Sequence, residues 1–368
     1  MRIAIDQPRF LKSLQMVERA INDRSTLPIL AHILLEAQGN HLILTATDLD
    51  VGVRYQLPLT TQPEQGAVTL PARRLSAIIR ELPEEPINLE VRKNHVTTLT
   101  CGQSHFRLPG LPPEDFPIFP TIEQQAVFTT TQTTLKNLVT QTAFAMSIEE
   151  TRFVLNGTLF RIHNSILSLV ATDGRRLAIA STKEIKAPQE ALAAIVPAKT
   201  VRELGRLLQD EEDDPVSIAP LKDNQLLFQF GEATIMTRLV EGQFPQYESV
   251  IPPPSPITVR CSRQLLMSAI RRVSLMTTAT SQAVIFELAK DRIVISKESP
   301  ELGSAREELP ALYTGEPMTI AFNPEFWLDV LKVLEADEVT IEVTAPEKPA
   351  IIRLPQLLYI VLPMKLAS

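Results

Sequence analysis

The sequence predicts an α+β protein built from three repeated domains, each with two helices packed on antiparallel sheets. Three observations predict it. Near residues 1, 125 and 256 a short alternating run passes into apolar residues at helical spacing, as MRIAIDQPRFLKSLQMV, AVFTTTQTTLKNLVTQT and ITVRCSRQLLMSAIRRV. A hydrophobic strand then ends in LTATD (44–48), in LVATD (169–173) and, in the third copy, in VISKE (294–298), so Asp48, Asp173 and Glu298 recur every 125 residues. A second helix opens in VTLPARRLSAII (68–79), AIVPAKTVRELG (194–205) and IAFNPEFWLDVL (320–331), with Pro71, Pro197 and Asn323 spaced by 126.

In order, each copy reads as a strand, a helix, two strands, a strand leading into the second helix, and two closing strands. In the first copy the helices are expected over 9–24 and 71–82. PEDFP (113–117) and EGQFP (241–245) close the first and second copies. The period is far longer than the 20–50 residues of a stacking solenoid unit, so each copy is large enough to hold a core of its own. The expected domains are 1–121, 122–253 and 254–368. IFPTIEQQ joins the first pair; the second join, IPPPSPI (251–257), is proline-dense and therefore extended and semi-rigid.

Composition is that of an ordinary globular protein, with 44% hydrophobic and 21% charged residues and no apolar run of membrane-spanning length. MRIAIDQ passes straight into a strand without the marks of a secretory signal, so a cytoplasmic location is expected. Cys101 and Cys261 sit at different points of the repeat, which makes reduced thiols the expectation. Asn156-Gly157-Thr158 then reads as a turn between strands.

The net charge is −7, yet four of the six expected helices are net basic. They carry Arg9, Lys12, Arg19 and Arg24; Arg73, Arg74 and Arg80; Lys199, Arg202 and Arg206; and Arg263, Arg271 and Arg272. Acid gathers in loops and strands, as in DEEDD (210–214). Clustered cations attract phosphates by counterion release, a force independent of base sequence and easily re-formed one step along a duplex. Charge alone favours the plainer reading of solvated helix faces.

Longer motifs supply a resemblance. STLPIL (25–30), TATDLD (45–50), RFVLNG (152–157), VATDGRRLA (170–178), LVEGQFPQY (239–247), FNPEFWLDVL (322–331) and VLPMKL (361–366) resemble, in order and spacing, the bacterial sliding clamp, the β subunit of DNA polymerase III. The resemblance implies a head-to-tail homodimer closing into a six-domain ring, with sheets outside and helices toward duplex DNA bound without base sequence preference. Inside such a ring Arg24, Arg73, Lys199 and Arg202 are the leading candidates for DNA contact, of which Arg24, Arg73 and Lys199 match family positions, with Arg9, Lys12, Arg80, Arg206, Arg271 and Arg272 as further candidates. The resemblance implies a dimer contact between Ser104, Phe106 and Leu108 of one copy and Leu275 and Met276 of the next.

The same resemblance implies a cleft for short clamp-binding peptides of the DNA polymerase III α subunit, the clamp loader, and other polymerases and repair proteins. The matching positions are Leu155, Thr172, Gly174, Arg175, Arg176, Leu177, Pro245, Val250, Asn323, Phe326, Val361, Leu362, Pro363 and Met364. Arg176 and Asn323 are expected to hold a peptide's backbone or a polar side chain. Phe326 stands where the family often has Tyr, and Arg175 and Ser249 also depart from its commonest pattern.

No catalytic constellation assembles. His32, His41, His95, His105 and His163 lack metal-ligand spacing, and the twelve glycines form no phosphate-cradling loop. Asp48 and Asp50 are the carboxylates to consider for acid–base or metal chemistry, but recurrence at Asp173 and Glu298 favours a structural turn after a strand. DEEDD lacks the spaced ligands of a calcium loop. The expectation is a non-enzyme with no cofactor, no metal and no membrane partner. The alternative is a three-domain protein-binding scaffold that uses the same cleft without enclosing DNA.

Overall fold

The computed structural model of the chain describes residues 1–21, 27–120, 128–186, 191–209 and 214–365. Among them the order β-α-β-β-β-β-α-β-β-β occurs three times. The first repeat comprises β1 (Arg2–Asp6), α1 (Gln7–Val17), β2 (His32–Gln38), β3 (His41–Thr47), β4 (Val51–Pro58), β5 (Gly66–Pro71), α2 (Ala72–Glu81), β6 (Pro86–Val91), β7 (Val96–Cys101) and β8 (Ser104–Pro109). The second comprises β9 (Phe128–Thr131), α3 (Gln132–Thr142), β10 (Gly157–His163), β11 (Ile166–Thr172), β12 (Arg176–Thr182), β13 (Leu192–Pro197), α4 (Ala198–Leu207), β14 (Pro215–Leu221), β15 (Gln225–Phe230) and β16 (Ala233–Arg238). The third comprises β17 (Thr258–Ser262), α5 (Arg263–Val273), β18 (Val284–Ala289), β19 (Arg292–Ser299), β20 (Gly303–Tyr313), β21 (Met318–Phe322), α6 (Pro324–Val333), β22 (Glu338–Glu342), β23 (Ala350–Arg353) and β24 (Leu357–Val361).

Each repeat therefore has one strand more on either side of its second helix than the sequence pattern announces. Both additions lack clean alternation. β4 opens with three buried residues in succession, and β8 buries only Leu108, so a period of two has little to register there. The first helix is also shorter than expected. Asp6 accepts from the Arg9 amide and Pro8 occupies the first turn, which starts α1 at Gln7, and a tight 3-10 turn over Glu18–Ala20 ends it. Asn156-Gly157-Thr158 is not a hairpin turn: a 3-10 segment ends there, and Gly157 and Thr158 already pair with β13.

The chain divides into two compact units, and the middle repeat is shared between them. The first unit spans Met1–Leu135, Ile185–Glu190 and Arg202–Leu239. It holds a four-stranded sheet, β1-β6-β7-β8, and an eight-stranded sheet, β5-β2-β3-β4-β16-β15-β14-β9. Phe10, Leu14 and Val17 of α1 and Leu75 and Ile79 of α2 lie one helical turn apart and are all fully buried, which turns one stripe of each helix inward.

The second unit spans Lys136–Glu184, Ala191–Val201 and Val240–Ser368 and holds a twelve-stranded sheet, β13-β10-β11-β12-β24-β23-β22-β17-β20-β19-β18-β21. Leu266, Ile270 and Val273 of α5 and Trp327, Val330 and Leu331 of α6 are buried in it. Trp327 packs edge-on to Phe322 with ring centroids 5.3 Å apart, and Phe322 meets Phe286 at 5.4 Å.

One pairing rule joins the repeats. The fourth strand of a repeat pairs antiparallel with the eighth strand of the next: β4 with β16, in the register Val53↔Ile235, and β12 with β24, in the register Ala178↔Tyr359. Backbone hydrogen bonds thus close edges that would otherwise stay open.

Cys101 and Cys261 are buried, and burial pushes both thiols up, Cys261 to about 12 with Glu338 adding to the rise. The thiolate is the nucleophile, so both stay protonated and shielded at about pH 8. A colorimetric thiol reagent should therefore leave the folded chain unlabelled and titrate both cysteines after denaturation.

Candidate functional site

Two turns of the same chemistry mark corresponding places in the first and second repeats. After β3, Asp48 Oδ1 accepts from the amides of Asp50 and Val51, at 3.1 and 2.8 Å, and the Thr47 hydroxyl donates to Val51 O. After β11, Asp173 Oδ1 accepts from the amides of Arg175 and Arg176, at 2.9 and 3.0 Å, and the Thr172 hydroxyl donates to Arg176 O. These carboxylates hold backbone, as the structural-turn reading expects. Glu298 does not join them. It lies within β19 opposite Ser304, because the β19–β20 hairpin continues through that position.

Each turn needs one residue in the left-handed region, supplied by Leu49 (φ 80°) in the first repeat and Gly174 (φ 86°) in the second. Gly174 lines a cleft, and a Cβ built on it would stand 2.7 Å from Arg152 Nη1, the far end of a half-exposed side chain that can swing aside. Gly174→Leu copies the residue that the first repeat tolerates on the same backbone. It should fold once Arg152 gives up its hydrogen bond to Asp173 O, and bind a cleft ligand about tenfold more weakly, by crowding the space that an apolar anchor of about 1.5–3 kcal/mol requires. Isothermal titration against unaltered chain measures this.

The cleft has a volume of about 240 Å³. Leu155, Thr172, Gly174, Arg175, Arg176, Leu177, Pro245, Val250 and Leu362 line it, as the resemblance implies, together with Gln246, Tyr247, Pro349 and Ile360. Its floor is a buried apolar cluster that includes Leu155, Val170, Leu177, Ile195, Phe244, Tyr247 and Ile360. Val250 and Leu362 stand at its rim, 59% and 44% exposed. The wall at Tyr247 is tied down by Arg161 of β10, which donates to the Tyr247 hydroxyl at 3.0 Å and to the Glu248 carboxylate. Burial raises the Tyr247 pKa, keeping it a neutral phenol.

Five expected lining residues lie elsewhere. Val361 is fully buried, because Ile360 and Leu362 face the cleft and strand alternation turns the residue between them away. Asn323 caps α6, accepting from the Glu325 amide and donating to Gln282 at 3.4 Å. Phe326 lies under the Arg176 guanidinium, whose carbon is 4.5 Å from the ring centroid. Pro363 and Met364 line an adjacent cleft of about 360 Å³ with Thr319, Ala321 and Glu347, and Leu362 borders both. Tyr247 lay inside the motif LVEGQFPQY, and Ile360 was readable from alternation in LLYIVLPM; Pro349 carried no sequence signal.

Arg176 is heavily engaged. It donates from Nε to Asp173 Oδ2 at 3.0 Å, from Nη1 to Asp329 Oδ2 at 2.8 Å and from Nη2 to Phe144 O at 2.6 Å. Burial alone would lower its pKa; the hydrogen bond to Asp329 and the nearby Tyr359, Asp173 and Asp329 outweigh burial and raise it.

Of the residues proposed to touch DNA, Arg24 lies outside the described residues. Arg73 on α2 and Arg202 on α4 are exposed, and Lys199 on α4 is half-buried. Several other helix cations are committed within the protein: Arg206 to Glu203, Arg272 to Glu307 at 2.6 Å, and Arg263 to the last carbonyls around α6 at Leu331 and Ala336. Asp214 is the one described residue of DEEDD.

At the expected dimer contact, β8 is the edge of its sheet, and Phe106 is partly exposed. Leu275 is 70% exposed beside Met276 in a 3-10 turn. Leu108, in the same edge strand, has a buried side chain. No group of three or more metal-ligating side chains occurs among the described residues, and no described helix is long and apolar enough to cross a membrane.

Sequence profiles of the DNA polymerase III beta subunit match the chain end to end, with the N-terminal domain over residues 1–120, the central domain over 129–246 and the C-terminal domain over 248–365. The chain belongs to the DNA polymerase III beta subunit family. Among its relatives, the beta sliding clamp of Chlamydia muridarum is 31% identical over 367 residues, covering 100% of this chain and 99% of that protein. The beta sliding clamp of Pseudomonas aeruginosa is 34% identical over 370 residues, with both chains covered completely. The solved structure of the P. aeruginosa clamp bound to griselimycin superposes with a TM-score of 0.94 at 34% identity over the whole of both chains, and that of the Bacillus subtilis clamp with 0.93 at 30%. The family's fold thus extends over all three repeats.

Proposed function

We propose that this chain is a DNA sliding clamp: two copies close head to tail around duplex DNA, and the cleft takes short peptides that tether the replicative polymerase and other DNA-processing proteins. One observation carries the closure. The pairing rule that joins β4 to β16 and β12 to β24 leaves one fourth strand and one eighth strand without that partner. β20 meets β17 only over Ala311–Tyr313, and β8 pairs only with β7 among the described residues. These edges match by the rule that joins the repeats inside the chain, so β20 of one copy takes β8 of the next. Such a contact is heterologous, and twofold repetition closes it into a ring.

On this reading Phe106 meets Leu275 and Met276 across the seam. Arg24, Arg73, Lys199 and Arg202 contact phosphates weakly enough to slide, and the clamp loader and the polymerase α subunit share the cleft. The chain is then a tether in the cytoplasm, with the chemistry left to its partners. Negative-stain electron microscopy of the purified chain tests it. Closed particles with six lobes around a hole are expected; three-lobed particles without a hole, at micromolar concentration, would overturn the ring.

A further inference from the structure

The geometry points to Arg176 as the positioning residue of the cleft, acting through Asp329 and Phe326 to clamp α6 against the Thr172–Arg176 turn before any peptide arrives. The inference rests on reading the cleft as the peptide site. It reverses the role that the sequence suggests for Arg176, which was to hold the peptide itself.

A guanidinium has five N–H bonds, and three are already spent on Asp173, Asp329 and Phe144 O. The side chain is only 10% exposed. The contacts around it close a loop. Arg176 lies over the Phe326 ring, and Phe326 O accepts from the Tyr359 hydroxyl at 2.8 Å. The Tyr359 ring packs on Phe144 at 5.7 Å, and Phe144 O accepts from Arg176. This loop ties β12, the Ala143–Ala145 turn, β24 and α6 together around one buried cation. The planar fork satisfies three acceptors in different directions while stacking on a ring, which an ammonium cannot reproduce. Asp329 neutralises the charge from α6 without lining the cleft.

A double-substitution cycle tests it, with griselimycin as the probe and rate constants read by surface plasmon resonance. Asp329→Asn keeps the shape and removes the charge; it should weaken binding about tenfold, and the Arg176→Ala/Asp329→Asn pair should be no weaker than Arg176→Ala alone, the non-additivity of residues acting as one unit. Arg176→Lys should not restore affinity. The loss should fall on the association rate, because the binding-competent cleft is populated less of the time. Phe326→Leu, which removes the ring beneath the guanidinium, should act in the same direction and stands in if Asp329→Asn fails to fold. If Asp329→Asn binds within twofold of unaltered chain while Arg176→Ala is weak through faster dissociation, Arg176 touches the ligand and the positioning role is wrong. If Val250→Asp also leaves binding unchanged, griselimycin does not occupy the cleft, and the reading of the site fails along with it.

Discussion

Replacing Val250 and Leu362 together by aspartate should weaken griselimycin binding at least about a hundredfold while leaving the fold intact. Both side chains stand at the rim of the cleft and are 59% and 44% exposed, so a polar replacement costs the free chain little. The bound state is different. Contact with an apolar anchor is worth about 1.5–3 kcal/mol per buried side chain, and a carboxylate pressed against that anchor must also shed water. A combined loss of about 3 kcal/mol is roughly a hundredfold in Kd, since 1.4 kcal/mol is a factor of ten. Calorimetric titration with a parallel melting curve separates binding from folding. A loss smaller than about tenfold would place the ligand elsewhere.

Reversing Arg73, Lys199 and Arg202 to glutamate should abolish DNA-dependent stimulation of the partner polymerase and leave griselimycin binding as it was. Each phosphate contact contributes about −0.9 to the slope of log affinity against log salt, so three lost contacts flatten the slope by about 2.7 per chain before added repulsion is counted. Arg73 and Arg202 are exposed and Lys199 is half-buried, so a melting curve taken in parallel separates lost DNA contact from lost fold. Salt titration of binding to circular duplex DNA reads the slope directly. Unchanged stimulation with an unchanged slope would remove these residues from the DNA-facing surface.

The repeat was legible because hydrogen bonding leaves little choice at a few positions. A carboxylate one bond from Cβ reaches two successive amides, and Asp48 and Asp173 do so with the same partners one repeat apart. Glu298 carries the same charge on a longer arm within a continuous hairpin, so charge likeness there suggested a turn that the backbone does not make. Strand alternation separates Ile360 and Leu362, which line the cleft, from the buried Val361, a distinction of face that a motif does not carry. Arg176 stands out in the sequence, but its internal partners do not. Its acceptors Phe144 and Asp329 are 32 and 153 residues away, and no local pattern announces such a meeting. β8 is implied at Ser104–Leu108 only by the family resemblance, because an edge strand with one buried side chain has almost no hydrophobic period to read.

The proline-dense segment 251–257 invites the idea that linker stiffness sets the angle between successive repeats. The rungs between β12 and β24, from Arg176↔Val361 to Ala180↔Leu357, join the same two repeats by backbone pairing. A chain nicked in this segment would keep its register, and two polypeptides divided there would each carry half of a matched ladder. The protein is thus suited to fragment complementation: separately expressed pieces should recognise one another by strand pairing, and a reporter split across this seam would light only when the cleft had been rebuilt.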